Sequence, residues 1–126
     1  MKALFDSNIL IDYLNGIEAA QTEFDHYKTC AISIITWMEV MTGSDADNAA
    51  ITRGFLAGFE IIQINEPIAA RAVELRRERR MKLPDAIILA TAQENNLLLV
   101  TRNVKDFDAT LPGIRMPYLE IGRAHV

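Results

Sequence analysis

The sequence predicts an α/β domain in three layers, α/β/α, with a central parallel sheet of about four to five strands. Three observations lead there. Short apolar runs alternate with longer stretches of helical periodicity along the chain. The runs are apolar throughout rather than at every second position, which suits strands covered on both faces. No repeat, low-complexity tract or linker interrupts the pattern, so residues 1–121 read as a single domain and 122–126 as a tail.

Residues 2–5 read as the first strand. Asp6-Ser7-Asn8 then opens a helix through Ile9, Leu10, Tyr13 and Leu14, stopped by Asn15-Gly16. Residues 18–27 form a more polar helix, 30–33 the second strand, and 34–41 a helix that Gly43 ends. Ser44 and Asp45 supply cap chemistry for a helix running to about residue 58. The third strand is 59–64.

Glu66-Pro67 starts a long helix, with proline in the first turn where its missing N–H is harmless. It carries Ile68, Ala72 and Leu75 on one side and a cluster of arginines further along. Leu83-Pro84-Asp85 begins the next helix, 86–95, which is apolar nearly all round and therefore buried. Residues 97–101 are the fourth strand. A fifth lies within 114–121, and Pro117 places it at an edge.

Composition narrows the function classes. Half of the 126 residues are hydrophobic and 24% are charged, which argues against disorder. The single Cys30 excludes an internal disulfide and a cysteine-based zinc site, and the distant His26 and His125 exclude a histidine cluster. Met1–Asp6 meets a charge too early for a signal-peptide core, and no apolar run approaches the roughly 18 residues of a membrane span. The expected location is cytoplasmic, with no membrane partner. A net charge of −4 argues, taken as an average, against gripping nucleic acid by bulk charge.

The distribution of acids says more than their number. In parallel sheets, ligands bind beyond the carboxyl ends of the strands, where strand order reverses. Asp6 directly follows the first strand, Glu39 lies on the helix after the second, Asp85 opens the buried helix, and Asp106 lies just past the fourth strand. All four point to one edge of the sheet. Glu39, flanked by apolar neighbours, is expected to be partly buried.

Carboxylates gathered in this way repel by about 4 kcal/mol at 4 Å and an effective dielectric near 20. A divalent cation reverses that sign, and oxygen-only ligands suit Mg²⁺ or Mn²⁺. Such a site activates water and stabilises phosphoryl charge without Cys, His or a Ser–His pair. Each acid alone also has a plainer reading as a helix cap or a solvated charge. That plainer reading is kept for Asp12, Asp45, Asp47 and Asp108.

Four segments now fall into a familiar order: Phe5-Asp6-Ser7-Asn8-Ile9-Leu10, Ser33-Ile34-Ile35-Thr36-Trp37-Met38-Glu39, Leu83-Pro84-Asp85-Ala86-Ile87-Ile88-Leu89-Ala90-Thr91-Ala92 and Leu99-Val100-Thr101-Arg102-Asn103-Val104-Lys105-Asp106-Phe107. The chain resembles the PIN domain, most closely the VapC-type ribonuclease toxins of bacterial and archaeal toxin–antitoxin pairs, from Lys2 to about Tyr118. The resemblance implies an endoribonuclease in which Asp6, Glu39, Asp85 and Asp106 hold one or two Mg²⁺ or Mn²⁺ ions. It also implies an RNA substrate, a cognate antitoxin and a homodimer. Ser7, Asn8, Ser33, Thr36 and Thr101 match polar positions that buttress the acids. Asn103 stands where many members carry Asp, so Asp106 is the only acid of its loop, and asparagine adds no charge toward a second ion.

Between Arg71 and Lys82 lie six basic and two acidic residues. Arg76, Arg77, Arg79, Arg80 and Lys82 read as a phosphate-contacting strip leading into Asp85, or else as a solvated helix face. Trp37, Met38, Met41, Tyr13 and Leu14 read as core, or, where exposed, as a groove for an amphipathic antitoxin segment. Three other classes compete. A phospho-acceptor signalling domain needs an acceptor Asp after its third strand, where this chain has Gln63-Ile64-Asn65. A haloacid-dehalogenase-type phosphatase needs Asp-x-Asp, where this chain has Asp6-Ser7-Asn8. A non-catalytic PIN-like RNA- or protein-binding module is separated from the enzyme by metal titration and a nuclease assay.

Overall fold

A computed structural model describes residues 2–119. Its elements are β1 (Lys2–Phe5), α1 (Ser7–Leu14), α2 (Glu18–Phe24), β2 (Thr29–Ser33), α3 (Ile34–Gly43), α4 (Ala49–Leu56), β3 (Glu60–Ile62), α5 (Glu66–Arg79), α6 (Leu83–Glu94), β4 (Leu98–Val100) and β5 (Ile114–Arg115). All strand pairings are parallel, in the order β3-β2-β1-β4-β5. The chain lays strands outward from β1 in one direction, then crosses back to lay β4 on its other side. Strand order therefore reverses between β1 and β4, where a parallel sheet leaves a crevice at its carboxyl ends.

Side chains of successive strand residues point to opposite faces, and this alternation divides the core in two. Leu4, Ala31 and Leu99 face α5 and α6, packing with Ile68, Leu75 and Ile88. Ala3, Phe5, Ile32 and Val100 face the other way, onto Ile9, Leu10, Val40 and Leu56. Helices thus cover both faces, which gives the three layers that the strand composition predicts. The second face is rich in rings: Phe5 meets Phe24 at 4.5 Å between centroids, and Tyr13 stacks on Phe55 at 5.0 Å. None of the described helices is long and apolar enough to cross a membrane.

Several boundaries differ from expectation for local reasons. Helix α4 begins at Ala49 rather than beside Ser44, because the Asp45 carboxylate closes a turn by accepting from the Asn48 amide and side chain, both at 2.9 Å. Helix α2 ends at Phe24, and the chain reaches β2 through a turn over Asp25–Tyr27. Strand β3 shrinks to three residues at the sheet edge. Strand β5 keeps only two residues of 114–121, and Pro117 follows it. Residues 120 and 121 and the tail 122–126 lie outside the described residues.

Helix α5 ends as an arginine-rich segment must if it is to turn at once into α6. Arg80 takes the left-handed conformation, φ 56°, and its amide bonds back to the Arg76 carbonyl at 3.0 Å. The Arg76 guanidinium donates to the Met81 carbonyl at 2.8 Å. Two arginines therefore build the corner that brings α6, and Asp85 with it, to the carboxyl edge of the sheet.

Candidate metal centre

Asp6 is the fixed point of the site. It caps α1, and its backbone amide donates to the Val100 carbonyl at 2.9 Å, so it sits in the β1–β4 crevice. Only 3% of the residue is exposed. Oδ1 accepts from the Ser7 amide at 2.8 Å; Oδ2 accepts from the Thr101 hydroxyl at 2.8 Å and the Asn8 side chain at 3.3 Å. Burial pushes its pKa up, the Thr101 and Ser7 bonds pull it down, and the Asp106 charge adds to the rise.

The loop after β4 is built around Thr101 and Asn103. The buried Thr101 hydroxyl also accepts from the Asn103 amide at 3.1 Å and from the Asn8 side chain at 3.3 Å. Asn103 donates through Nδ2 to Asp106 at 2.7 Å, while its Oδ1 accepts from the amides of Lys105 at 3.2 Å and Asp106 at 3.3 Å. Asparagine at this position is a neutral holder of the Asp106 carboxylate, a bond that aspartate would replace with repulsion.

Asp85 lies in the first turn of α6, half-buried, with Pro84 beside it in the same turn. Its pKa is pushed up to about 6, first by burial and then by the charges of Asp106, Asp6 and Glu39, against a smaller opposing pull from Lys82. Glu39 is exposed, contrary to the expected partial burial. Helix α3 turns Thr36 and Val40 inward and leaves Met38 and Glu39 toward solvent. Desolvation and the Asp6 charge still raise the Glu39 pKa, and the Ser7 side chain lowers it.

These couplings bring the four acids into one electrostatic neighbourhood. Among the described residues, no three His, Cys, Asp or Glu side chains close around a common ion position. The donor set fits Mg²⁺ or Mn²⁺ in chemistry, being oxygen only and burdened with unneutralised negative charge. Thr36 Oγ1, one helical turn before Glu39, is fully buried without a hydrogen-bond partner among the described residues. Ser33 is committed to α3, accepting from the Ile35 amide at 3.1 Å.

The basic strip is divided. Arg77, Arg79, Arg80 and Lys82 are exposed on the α5–α6 corner, whereas Arg76 is engaged by Met81 and Arg71 by Gln93 at 2.7 Å. Trp37, Met41 and Tyr13 pack against the second core, with Arg53 over the Trp37 ring at 5.2 Å. Met38 and Leu14 stay 44% and 40% exposed, so of this group only these two are available as surface.

Two buried acids behave differently from the four. Asp12, 6% exposed, accepts from Arg102 Nε at 2.6 Å and Nη2 at 3.1 Å, and from the Tyr118 hydroxyl at 2.9 Å. Glu23, 3% exposed, accepts from Arg115 at 2.6 and 2.9 Å and from Tyr27 at 2.8 Å. Sequence reasoning leaves Glu23 unmarked, since its arginine lies 92 positions away. The Asp12 pair bears on the site: Arg102 follows Thr101, and its amide donates to Asn8 Oδ1 at 3.4 Å.

Comparison with known proteins agrees with the geometry. Residues 3–110 match the family model described as the PIN domain. Ribonuclease VapC10 of Mycobacterium tuberculosis is 32% identical over 112 residues, covering 82% of this chain and 84% of that protein. A toxin–antitoxin complex from Klebsiella pneumoniae contains a chain with a TM-score of 0.88 and 51% identity, covering 94% of this chain and 99% of that one. DNA-bound VapBC from Salmonella typhimurium superposes with a TM-score of 0.76 at 27% identity, covering 91% and 96%. A five-stranded parallel sheet with acids at its switch point, and these likenesses over nearly the whole chain, give one conclusion: the chain belongs to the PIN domain family and, within it, to the VapC group.

Proposed function

We propose that the chain is an endoribonuclease dependent on Mg²⁺ or Mn²⁺, and the toxin of a type II toxin–antitoxin pair. The observation that carries this reading is the match to the PIN domain and to a VapC ribonuclease, joined to Asp6 held in the β1–β4 crevice by Ser7, Asn8 and Thr101; the acids also raise one another's pKa. A site so arranged is destabilised until a cation enters it. Asp6, Glu39, Asp85 and Asp106 are the residues that would hold the ion. When bound, the ion supplies a water nucleophile at neutral pH and neutralises charge developing on the phosphoryl oxygens.

The chain's own groups do the remainder. Ser7, Asn8 and Thr101 fix both oxygens of Asp6, so its orientation is set before any ligand arrives. Asn103 does the same for Asp106. Asp85, pushed up to about 6 by burial and its acidic neighbours, would be returned to the ionised form by a bound cation. Arg77, Arg79, Arg80 and Lys82 line the approach as phosphate contacts, and Arg76 supports their corner.

The named relatives are a ribonuclease and chains of a toxin–antitoxin complex and of a DNA-bound VapBC complex, which supports RNA as substrate and an antitoxin as partner. A hollow of about 400 Å³ between α1, α3 and α4, edged by Ile11, Leu14 and Ile51, suits an amphipathic antitoxin segment. We assign the protein to the cytoplasm, as a homodimer.

The test is cleavage of RNA by the purified chain with Mg²⁺, with Mn²⁺ and with chelator, beside Asp6→Asn and Asp85→Asn. Metal-dependent cleavage by the parent, lost in both variants with the fold retained, is the expected result. Equal cleavage by parent and variants, with contaminating nuclease excluded, would sink the assignment. Metal binding without cleavage would make the chain a binding module.

A further inference from the structure

A second hollow adjoins the acids and has no part in the chemistry above. On the α5–α6 side of the sheet, a cavity of about 380 Å³ opens against Asp106. Its floor is apolar, with Met81, Leu89 and Phe107 all buried. Its rim carries Arg79 and Lys105, with Asp106 and Asp108 beside them.

The chemistry of floor and rim selects an occupant. Cations and carboxylates alternate at the rim, so the apolar floor rather than a single sign of charge selects the occupant. The floor rewards an uncharged group with apolar faces, and polarisable methionine sulfur suits a π-face. The rim rewards polar edges on that group. A nucleobase has both properties. The volume lies at the low end of ligand pockets, with room for one base rather than a stacked pair.

We propose that this cavity receives the base of a nucleotide flanking the scissile phosphate, and so determines which RNA sequence is cut. This rests on the ribonuclease reading above and goes beyond it, because the four acids distinguish no base from another. Asp106 belongs to both the metal centre and the cavity wall, so a strand whose phosphate lies at the acids has a neighbouring base next to the opening. Asp108 adds direction. Its Oδ1 is held by the Thr110 amide at 2.9 Å and hydroxyl at 2.6 Å, which fixes an acceptor-only carboxylate at the rim. The amino groups of adenine, cytosine and guanine satisfy such an acceptor, whereas uracil offers only its N3–H, flanked by two carbonyls that a carboxylate repels.

Ala109 lines the cavity from an exposed position, so Ala109→Trp fills the opening without entering the core. The experiment takes an RNA oligonucleotide that the parent cleaves and a series with one abasic site at each flanking position. One abasic position is expected to lower the parent's kcat/KM by roughly tenfold or more. Ala109→Trp should be slowed to a similar degree on intact RNA, with no further loss at that position. Asp108→Asn should shift the preference toward uracil there.

A parent indifferent to base removal at every flanking position would overturn the proposal, as would full abasic sensitivity in Ala109→Trp. Parent-like cleavage by Ala109→Trp, with lost inhibition by the protein of the adjacent reading frame, would make the cavity a protein contact and overturn it too. These results all presuppose metal-dependent cleavage by the parent. Its absence would strike the ribonuclease reading first, and is distinguishable on that ground.

Discussion

The Thr101 hydroxyl donates to Oδ2 of Asp6 at 2.8 Å, tying the end of β4 to the end of β1 across 95 residues of sequence. Both residues are buried, and the same hydroxyl anchors Asn103 and Asn8. Thr101→Val keeps the shape and removes every one of these bonds. We expect a loss of about 1–3 kcal/mol in stability, read by urea denaturation. The Asp6 pKa should rise further, because a bond that lowers it is gone. Cleavage should fall by roughly 10–100-fold, in the range seen when a ligand loses its orienting partner.

Asp85 links pH, metal and stability. Its pKa is raised from 3.8 to about 6 on folding, so the folded chain holds this proton more tightly than the unfolded one. Without metal, its contribution therefore makes the protein less stable as pH rises from about 4 to 6, and changes little above. Asp6 and Glu39 act in the same direction. Since Asp85 is only half-buried, solvent screening holds the effect to roughly 1 kcal/mol, or about 3–5 °C in Tm. Melting curves of parent and Asp85→Asn should diverge over this window, with the variant the more stable at pH 7 in chelator. Mg²⁺ or Mn²⁺ should raise the parent's Tm more at pH 7 than at pH 5, and the variant's hardly at all.

The Asp12–Arg102 pair holds the site loop from behind. Asp12→Asn weakens a charge-assisted bidentate pair with Arg102 and a bond from Tyr118, which should cost about 1–3 kcal/mol. A double-mutant cycle with Arg102→Met checks whether the two groups act as a unit. A coupling energy above about 1 kcal/mol in urea unfolding is the expected outcome.

Asn103→Asp exchanges a donor to Asp106 for a second negative charge. Without metal, this variant should be less stable than the parent at pH 7 and should recover the difference at pH 4. With Mn²⁺ it should bind the ion more tightly, by titration calorimetry. An unchanged affinity would mean that the loop lies out of reach of the ion.

The placement of Asp6 was legible because strand ends are legible: an acid directly after an apolar run falls at the carboxyl edge of a parallel sheet wherever the strands go. The division of Leu4 from Phe5, one to each core, follows equally from alternation. Glu39 shows the limit, since apolar neighbours in sequence did not make it buried once α3 chose its inward face. Asp12 with Arg102 and Glu23 with Arg115 were invisible for another reason. Their partners lie about 90 residues away, and no local pattern encodes a pairing made by tertiary closure. The start of α4 failed on competition, because Asp45 found a nearer amide in a turn than any in the helix.

Asp6 lies in the crevice between β1 and β4, held there by Thr101 from the end of β4. Since β1 is completed on that side only by β4, Asp6 gains its partner hydroxyl only once a segment 95 residues later has folded back. Such long-range closure is the slow part of folding. The Asp6 carboxylate is thus oriented last, by the contact that closes the sheet.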